Sequence, residues 1–344
     1  MSTTRERETA RPINGRRPAR RTLLVCAAAL LAIVVAAIAG LALGDYPLTT
    51  EEVIGVLTGR VDGLARTVVL DWRLPRVLAA IGFGAALGVS GAIFQTLTRN
   101  PLASPDIIGL ANGSFTGMLV ALLLLGGSWP ALMAGSLLGG LAAAVAIFLL
   151  ALRQGLSGFR FIVVGIGVSA MLAAFNSWLL LRADLDVALF AAAWGAGTLN
   201  TATATVVWPA LACLVVLFAV LPFAARPLRQ LELGDDSARA LGVRAEAVRL
   251  SALLWGIVLV AIATAAAGPI AFIALVAPQI ARRLIGSATL SLVPAACAGA
   301  LLLLASDLVA QRAFAPTQLP VGVMTVVVGG GYFVWLLVRE GRRR

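Results

Sequence analysis

Read for apolar runs alone, the chain breaks into ten stretches, most of them about 20 residues long and so able to cross roughly 30 Å of hydrocarbon as a helix. They lie at 22–43, 75–97, 106–126, 130–152, 160–182, 203–224, 248–267, 270–285, 289–308 and 319–338. The runs are continuous rather than alternating, which argues for helices and against a membrane β-barrel. The run 270–285 is short and bounded by Gly268-Pro269 and Gly286, so it reads as an internally packed helix rather than a lipid-facing one. Segment 44–73 is polar enough to be a loop, in which Thr49-Thr50-Glu51-Glu52 opens a short amphipathic helix and Gly59 closes it. Small residues recur at helix-packing spacing: Gly84 and Gly88, Gly113 and Gly117, Gly135 and Gly139, and Gly165-Ile-Gly167. They predict close helix approach in lipid and nothing beyond packing.

Three polar interruptions stand out. The longest, Arg226 to Arg249, carries five arginines and four acids, too many for hydrocarbon. Gly234 followed by Asp235 and Asp236 predicts a helix start, Gly242 its stop, and a second helical run begins near Arg244. Two short helices between two spans fit a docking surface or an ordered, inert loop; the pattern alone does not choose. Trp72-Arg73-Leu74-Pro75-Arg76 puts two arginines at one mouth of the second span, as helix anchors or as fixed charges for an acidic partner. Arg99 to Asp106 is a turn stiffened by Pro101 and Pro105, with Asp106 expected to cap the next helix.

Composition narrows the class. Of 344 residues 60% are hydrophobic and only 12% charged, as in a polytopic membrane protein. All 27 basic residues are arginine; lysine and histidine are absent. A Walker A phosphate loop needs its lysine, so this chain cannot carry that ATPase engine. Imidazole metal ligands and histidine proton switches are excluded too. Cys26, Cys213 and Cys297 fall inside predicted spans and read as small buried apolar residues. Only Asp106 and Asp307 lie at span ends, with no deep acidic pair, which disfavours a gradient-driven secondary carrier. No catalytic constellation points to an intramembrane enzyme.

Residues 1–21 hold seven arginines and read as a disordered basic tail; the run 22–43 is too long for a signal peptide and predicts an uncleaved first span. Ten spans put both termini on one side. That side then carries 21 arginines, while Arg60, Arg66, Arg73, Arg76, Arg182 and Arg312 fall on the other. The bias predicts cytoplasmic N- and C-termini and places 226–249 in the cytoplasm.

From about residue 23 onward the chain resembles the permease subunits of ABC importers for iron–siderophore complexes and vitamin B12. The resemblance rests on Arg73-Leu-Pro-Arg-Val-Leu78, Gly84 to Gln95, Asn100-Pro-Leu-Ala-Ser-Pro105, Leu233 to Gly242, Gly268 to Arg282 and Gln318-Leu-Pro-Val-Gly322. Phe159 to Val168, Ala174 to Trp178 and Gly329-Gly330 make it most similar to ferric enterobactin permease subunits. The resemblance implies an all-α polytopic membrane protein of about ten transmembrane helices with the type II ABC importer (vitamin B12 permease-like) fold. A single permease domain, 22–338, contains a coupling region at 225–247 and is followed by a cytoplasmic tail, 339–344.

The resemblance further implies a bacterial cytoplasmic (inner) membrane dimer with a homologous or identical second permease subunit. Two ATP-binding subunits, carrying ATP and Mg, would dock below, and a siderophore-binding protein above. This chain would bind no cofactor and no metal of its own; iron would pass as a siderophore chelate, a catecholate such as enterobactin. Gly234, Asp235, Asp236, Ala238, Arg239, Leu241 and Gly242 match the coupling helix and its ends. Arg73 and Arg76, with Arg312, match binding-protein docking positions. Asn100, Leu102 and Ser157 match the cytoplasmic gate, and Trp194 and Gly195 the outer one. Three departures from the pattern stand out: Gln279 where histidine is common, Gln311 beside Arg312 where the vitamin B12 relatives carry an arginine, and a thinned Gly195-Ala-Gly197. The last two weaken vitamin B12 as cargo more than a siderophore; haem is the other alternative.

Overall fold

Every regular element among the described residues is helical, as continuous apolar runs require. The computed structural model describes residues 16–44, 46–152, 158–232, 234–286, 289, 291–315 and 317–341. The chain begins with α1 (Arg16–Ala42), α2 (Thr50–Leu57) and α3 (Leu64–Thr67), the last running through a π-helical stretch, Val68–Arg73, into α4 (Leu74–Thr98). A 3₁₀ turn, Pro105–Ile108, leads to α5 (Leu110–Leu124), α6 (Trp129–Leu152), α7 (Gly158–Arg182) and α8 (Leu185–Gly195). Then follow α9 (Ala204–Glu232), α10 (Asp235–Ala240), α11 (Ala245–Ala267), α12 (Ile273–Ile285), α13 (Leu292–Arg312) and α14 (Val321–Gly341).

Ten of these helices coincide with the ten apolar runs, and the all-α polytopic class holds. Seven are long and apolar enough to cross a membrane, and Leu110–Leu124, Leu185–Gly195 and Val321–Leu336 are shorter apolar helices. Four expectations need correction. Residues 64–73 are helical rather than loop, because they continue the α4 cylinder. Helix α9 runs on to Glu232 and takes Arg226 and Arg229 into the helix. Helix α1 starts at Arg16, inside the stretch read as a disordered tail. Helix α8, only 11 residues long, escaped the search for membrane-length runs.

Helix α4 is the buried axis of the bundle, packed against α1, α9, α11, α12 and α13. Phe83, Leu87, Ile93 and Phe94 are all fully buried there. Helix α1, by contrast, exposes Leu23, Leu24, Leu31 and Val35 and covers one flank. The short run 273–285 is indeed internal: Ile273 to Pro278 and Ala281 are buried. Two crossings depend on missing side chains. A Cβ on Gly84 or Gly88 would strike the backbone of α13 at Gly299 or Ala295, and Gly117 meets Gly135 and Gly139 of α6 in the same way. Gly167 does not belong with them, since nothing lies within 4 Å of a Cβ placed there.

The cysteines also depart from expectation. Cys213 is exposed on α9, and Cys26 and Cys297 are only half-buried. Cys26 of α1 and Cys297 of α13 lie close together. Outside the bundle, the Glu52 carboxylate accepts from the Thr49 backbone N–H (2.7 Å) and hydroxyl (2.9 Å), closing a capping box on α2. Those bonds hold its pKa below the ordinary carboxylate value.

The glycine crossing makes a direct prediction. Gly88→Ala forces α4 and α13 apart and lowers stability by about 1–3 kcal/mol. Gly330→Ala, at a site with nothing within 4 Å, leaves it unchanged or slightly raised. Thermal unfolding in detergent checks both; equal melting of the two variants would remove the crossing from the account.

Candidate functional site

At the arginine-rich end, α10 is a single short turn of helix between two long ones. Gly234 (φ 102°) and Gly242 (φ 80°) bracket it in backbone conformations that L-residues rarely adopt. Asp236 lies in its first turn, where a carboxylate suits the unpaired N–H groups of a helix start. Ala238 is fully buried and fastens one face, with α10 packed on α9 and α11. The other face is open. Asp236 and Arg239 form a loose exposed pair at 3.5 Å, and Leu241 is 58% exposed. An anchored helix that presents a leucine and two charges has the form of a contact surface.

Beside it lies the turn that ends α4. Arg99 closes the helix in the left-handed region at φ 50°, uncommon for a residue with a side chain. Asn100 Oδ1 accepts from Leu102 N–H at 2.9 Å, and Leu102 is 40% exposed. Gln279 Nε2 of α12 donates to Pro101 O (2.8 Å) and to Gln95 Oε1 (3.0 Å). Arg282 Nη2 donates to the same Gln95 oxygen (3.0 Å), while Gln95 Nε2 donates to Leu275 O (2.9 Å). The residue that departs from the family pattern thus ties the turn to α12, through an amide that does not titrate. Asp106 does not cap α5, whose N-cap is Gly109; it sits inside the 3₁₀ turn, bonded to Ser104 Oγ at 3.1 Å. Its carboxylate also lies near the backbone N–H of Phe272, a non-glycine residue at φ 68°. Ser157 lies outside the described residues.

The opposite mouth is organised by two arginines of α4 and the π-helical stretch before it. Arg73 Nη1 donates to Leu41 O (2.8 Å) and Ala42 O (3.2 Å), and Nη2 to Tyr46 O (2.6 Å). Its guanidinium therefore caps α1, sharing Ala42 O with the Leu48 backbone N–H (3.1 Å). Arg76 pairs with Asp307 of α13 at 2.9 Å, the side chains being 14% and 1% exposed. The same guanidinium donates to Gln318 Oε1 (2.9 Å) and Asn200 Oδ1 (2.8 Å), while Gln311 Nε2 donates to Asp307 (2.8 Å). Arg312, at the end of α13, is exposed. Trp194 is buried and stacks on Phe115 (centroids 6.1 Å, planes 10° apart); the Phe115 ring also lies 3.0 Å from where a Gly195 Cβ would be. Gly197, beyond it, accepts from Gly322 N–H at 2.9 Å and so joins the turn after α8 to α14.

One polar ladder was not anticipated. Between α5 and α7, Asn112 Nδ2 donates to Ser169 Oγ (2.7 Å), Thr116 Oγ1 to Asn176 Oδ1 (2.6 Å), and Asn176 Nδ2 to Asn112 O (3.2 Å). The available signal was spacing: Asn112 and Thr116 are four apart and Ser169 and Asn176 seven apart, so each pair shares a helix face.

Comparison with known proteins follows this geometry. A family model described as the FecCD transport family matches residues 30–339. The chain is 50% identical over 325 residues to the ferric enterobactin transport system permease protein FepG of Escherichia coli (strain K12), covering 94% of this chain and 98% of that one. It is 35% identical over 331 residues to the iron(3+)-hydroxamate import system permease protein FhuG of Bacillus subtilis (strain 168), covering 93% and 98%. A solved structure of an inward-facing, metal-chelate type ABC transporter superposes with a TM-score of 0.82 at 27% identity, covering 92% of this chain and 99% of that one.

The mouth network carries its own test. Asp307→Ala leaves Arg76 poorly solvated and without its counter-charge, at a cost of about 3–5 kcal/mol. Adding Arg76→Met recovers much of that loss, because no orphan charge remains. Unfolding measurements on the three chains decide it; a double variant no more stable than Asp307→Ala would contradict the pairing.

Proposed function

The chain belongs to the FecCD transport family, and on that premise we propose that it is the membrane-spanning permease subunit of an ATP-driven importer of ferric siderophores. The cargo is ferric enterobactin or a related catecholate. The observation that carries the reading is α10: a helix anchored by Ala238, offering Arg239 and Leu241, in a chain without a single lysine. Such a chain has no Walker A lysine and needs a handle for an ATPase that does. The relatives compared are named for ferric enterobactin and iron(3+)-hydroxamate, which favours an iron chelate over vitamin B12.

In this reading the subunit sits in the bacterial cytoplasmic membrane with both termini inside, following the arginine bias. A second permease subunit, homologous or identical, covers apolar faces this chain exposes, such as Val163, Ile166 and Met171 on α7. ATP and Mg are bound by a pair of ATP-binding subunits. Their movement reaches this chain through Gly234 to Gly242 and passes into α9 and α11. Asn100, Leu102 and Ser157 form the inner gate; Gln279 holds the first two near α12 until that movement shifts them. Trp194 and Gly195 form the outer gate. The siderophore-binding protein meets the opposite mouth, where Arg312 offers a direct contact for its carboxylates. Arg73 and Arg76 add positive charge there while their hydrogen bonds shape the rim.

Two experiments test these assignments. Arg239→Glu with Leu241→Glu lowers uptake of radiolabelled ferric enterobactin by roughly tenfold or more, as loss of an interface hot spot does. Membrane insertion stays normal; unchanged uptake would contradict the coupling role. Arg312→Glu weakens capture of the binding protein and flattens its dependence on salt. Identical salt curves for both chains would rule out the docking role.

A further inference from the structure

A cavity of about 1390 Å³ opens at the arginine-rich end, between α4, α9, α12 and α13. It exceeds the ~300–1,000 Å³ usual for small-molecule pockets. Arg99, Arg226, Arg229 and Arg282 line it, against Glu232 as the single acid among the described lining residues. These arginines come from three different elements. Arg226 and Arg229 are one helical turn apart on α9, just beyond the apolar window Ala204–Phe223. That position is the depth of lipid headgroups. The remaining wall is apolar, with Phe218, Leu221, Leu292 and Val293. Val293 and Phe223 are also strongly exposed, so the wall continues onto the outer, lipid-facing surface.

A charged crown above an apolar groove is matched to an amphiphile with an anionic head. Guanidinium groups bind phosphate oxygens by paired hydrogen bonds, and basic pockets between spans hold acidic headgroups. We propose that this cavity is a binding site for an anionic phospholipid. Its phosphodiester lies among Arg99, Arg226, Arg229 and Arg282, and an acyl chain runs along Phe218, Leu292 and Val293. The bound lipid joins the Arg99–Leu102 turn to α9, the helix that leads into α10. The site depends on charge, depth and the apolar wall, so it stands whatever the cargo.

The test uses the full chain in its assembled transporter, equilibrated with equal amounts of phosphatidylglycerol and phosphatidylcholine and then moved into detergent. Native mass spectrometry counts the lipid retained. The wild-type chain keeps phosphatidylglycerol in preference. Arg226→Gln with Arg229→Gln lowers that retention roughly thirtyfold, because each arginine at headgroup depth adds its own attraction to an anionic lipid. Arg60→Gln with Arg66→Gln, the same charge change at the other end, retains lipid like the wild type. Val293→Trp keeps every charge but obstructs the groove, and also lowers retention. Equal retention of both lipids by the wild-type chain, or undiminished phosphatidylglycerol in both cavity variants, would overturn the proposal. So would displacement of the lipid by inorganic phosphate alone, which would make the site one for free phosphate.

Discussion

Helices α4 and α13 touch backbone to backbone, and the remaining structure is set out around that contact. In hydrocarbon no hydrophobic force draws apolar helices together, so close packing and hydrogen bonds must do it. Gly84, Gly88 and Gly299 remove the side chains that would keep the two axes apart. The result fixes α4, 25 residues and about 37 Å long by helix geometry, as a rod through the centre of the bundle. Both candidate gates are then referred to its ends: Arg76 at one, Gln95 and Arg99 at the other.

The two ends use polar chemistry differently. At the Arg76 mouth, one guanidinium gathers Asp307, Gln318 and Asn200, all far from Arg76 in sequence, and its charge is compensated almost out of water. Such a pair is costly to break and specifies geometry more than it adds net stability. At the inner turn, Gln95 and Gln279 make neutral bonds to each other and to backbone carbonyls. Neutral bonds of about 1 kcal/mol each can open and re-form during a transport cycle. A glutamine at 279 therefore holds the turn by a bond to Pro101 that stays indifferent to pH. The same turn borders the arginine-lined cavity, so a lipid head and the α12 amides act on neighbouring carbonyls and side chains.

Much of this was legible along the chain because membrane spans must be long and apolar. Thr49 and Glu52 announced α2 through their capping box, and Gly234 and Gly242 bracketed α10 where the glycine pattern placed them. The shortness of 270–285 correctly marked a buried helix. What stayed hidden depends on contacts between distant residues. Arg76 and Asp307 are separated by 231 positions, and Gln95 and Gln279 by 184. No local pattern pairs them. Arg73 and Arg76 read along the chain as helix anchors or as fixed charges for an acidic partner, and each is committed to acceptors within the chain that no local pattern names. Helix α9 runs past the apolar run 203–224 to Glu232, because a helix continues into the polar stretch once it has left the hydrocarbon.

The central claim is that transport through this bundle is driven from the arginine-rich end by a partner that hydrolyses ATP. Proteoliposomes containing the chain with its ATP-binding and siderophore-binding partners test it most directly, by accumulation of radiolabelled ferric enterobactin. The account predicts uptake that requires hydrolysable ATP on the α10 side and persists when an uncoupler collapses the ion gradients. Uptake by the permease without ATP, abolished by the uncoupler, would contradict it.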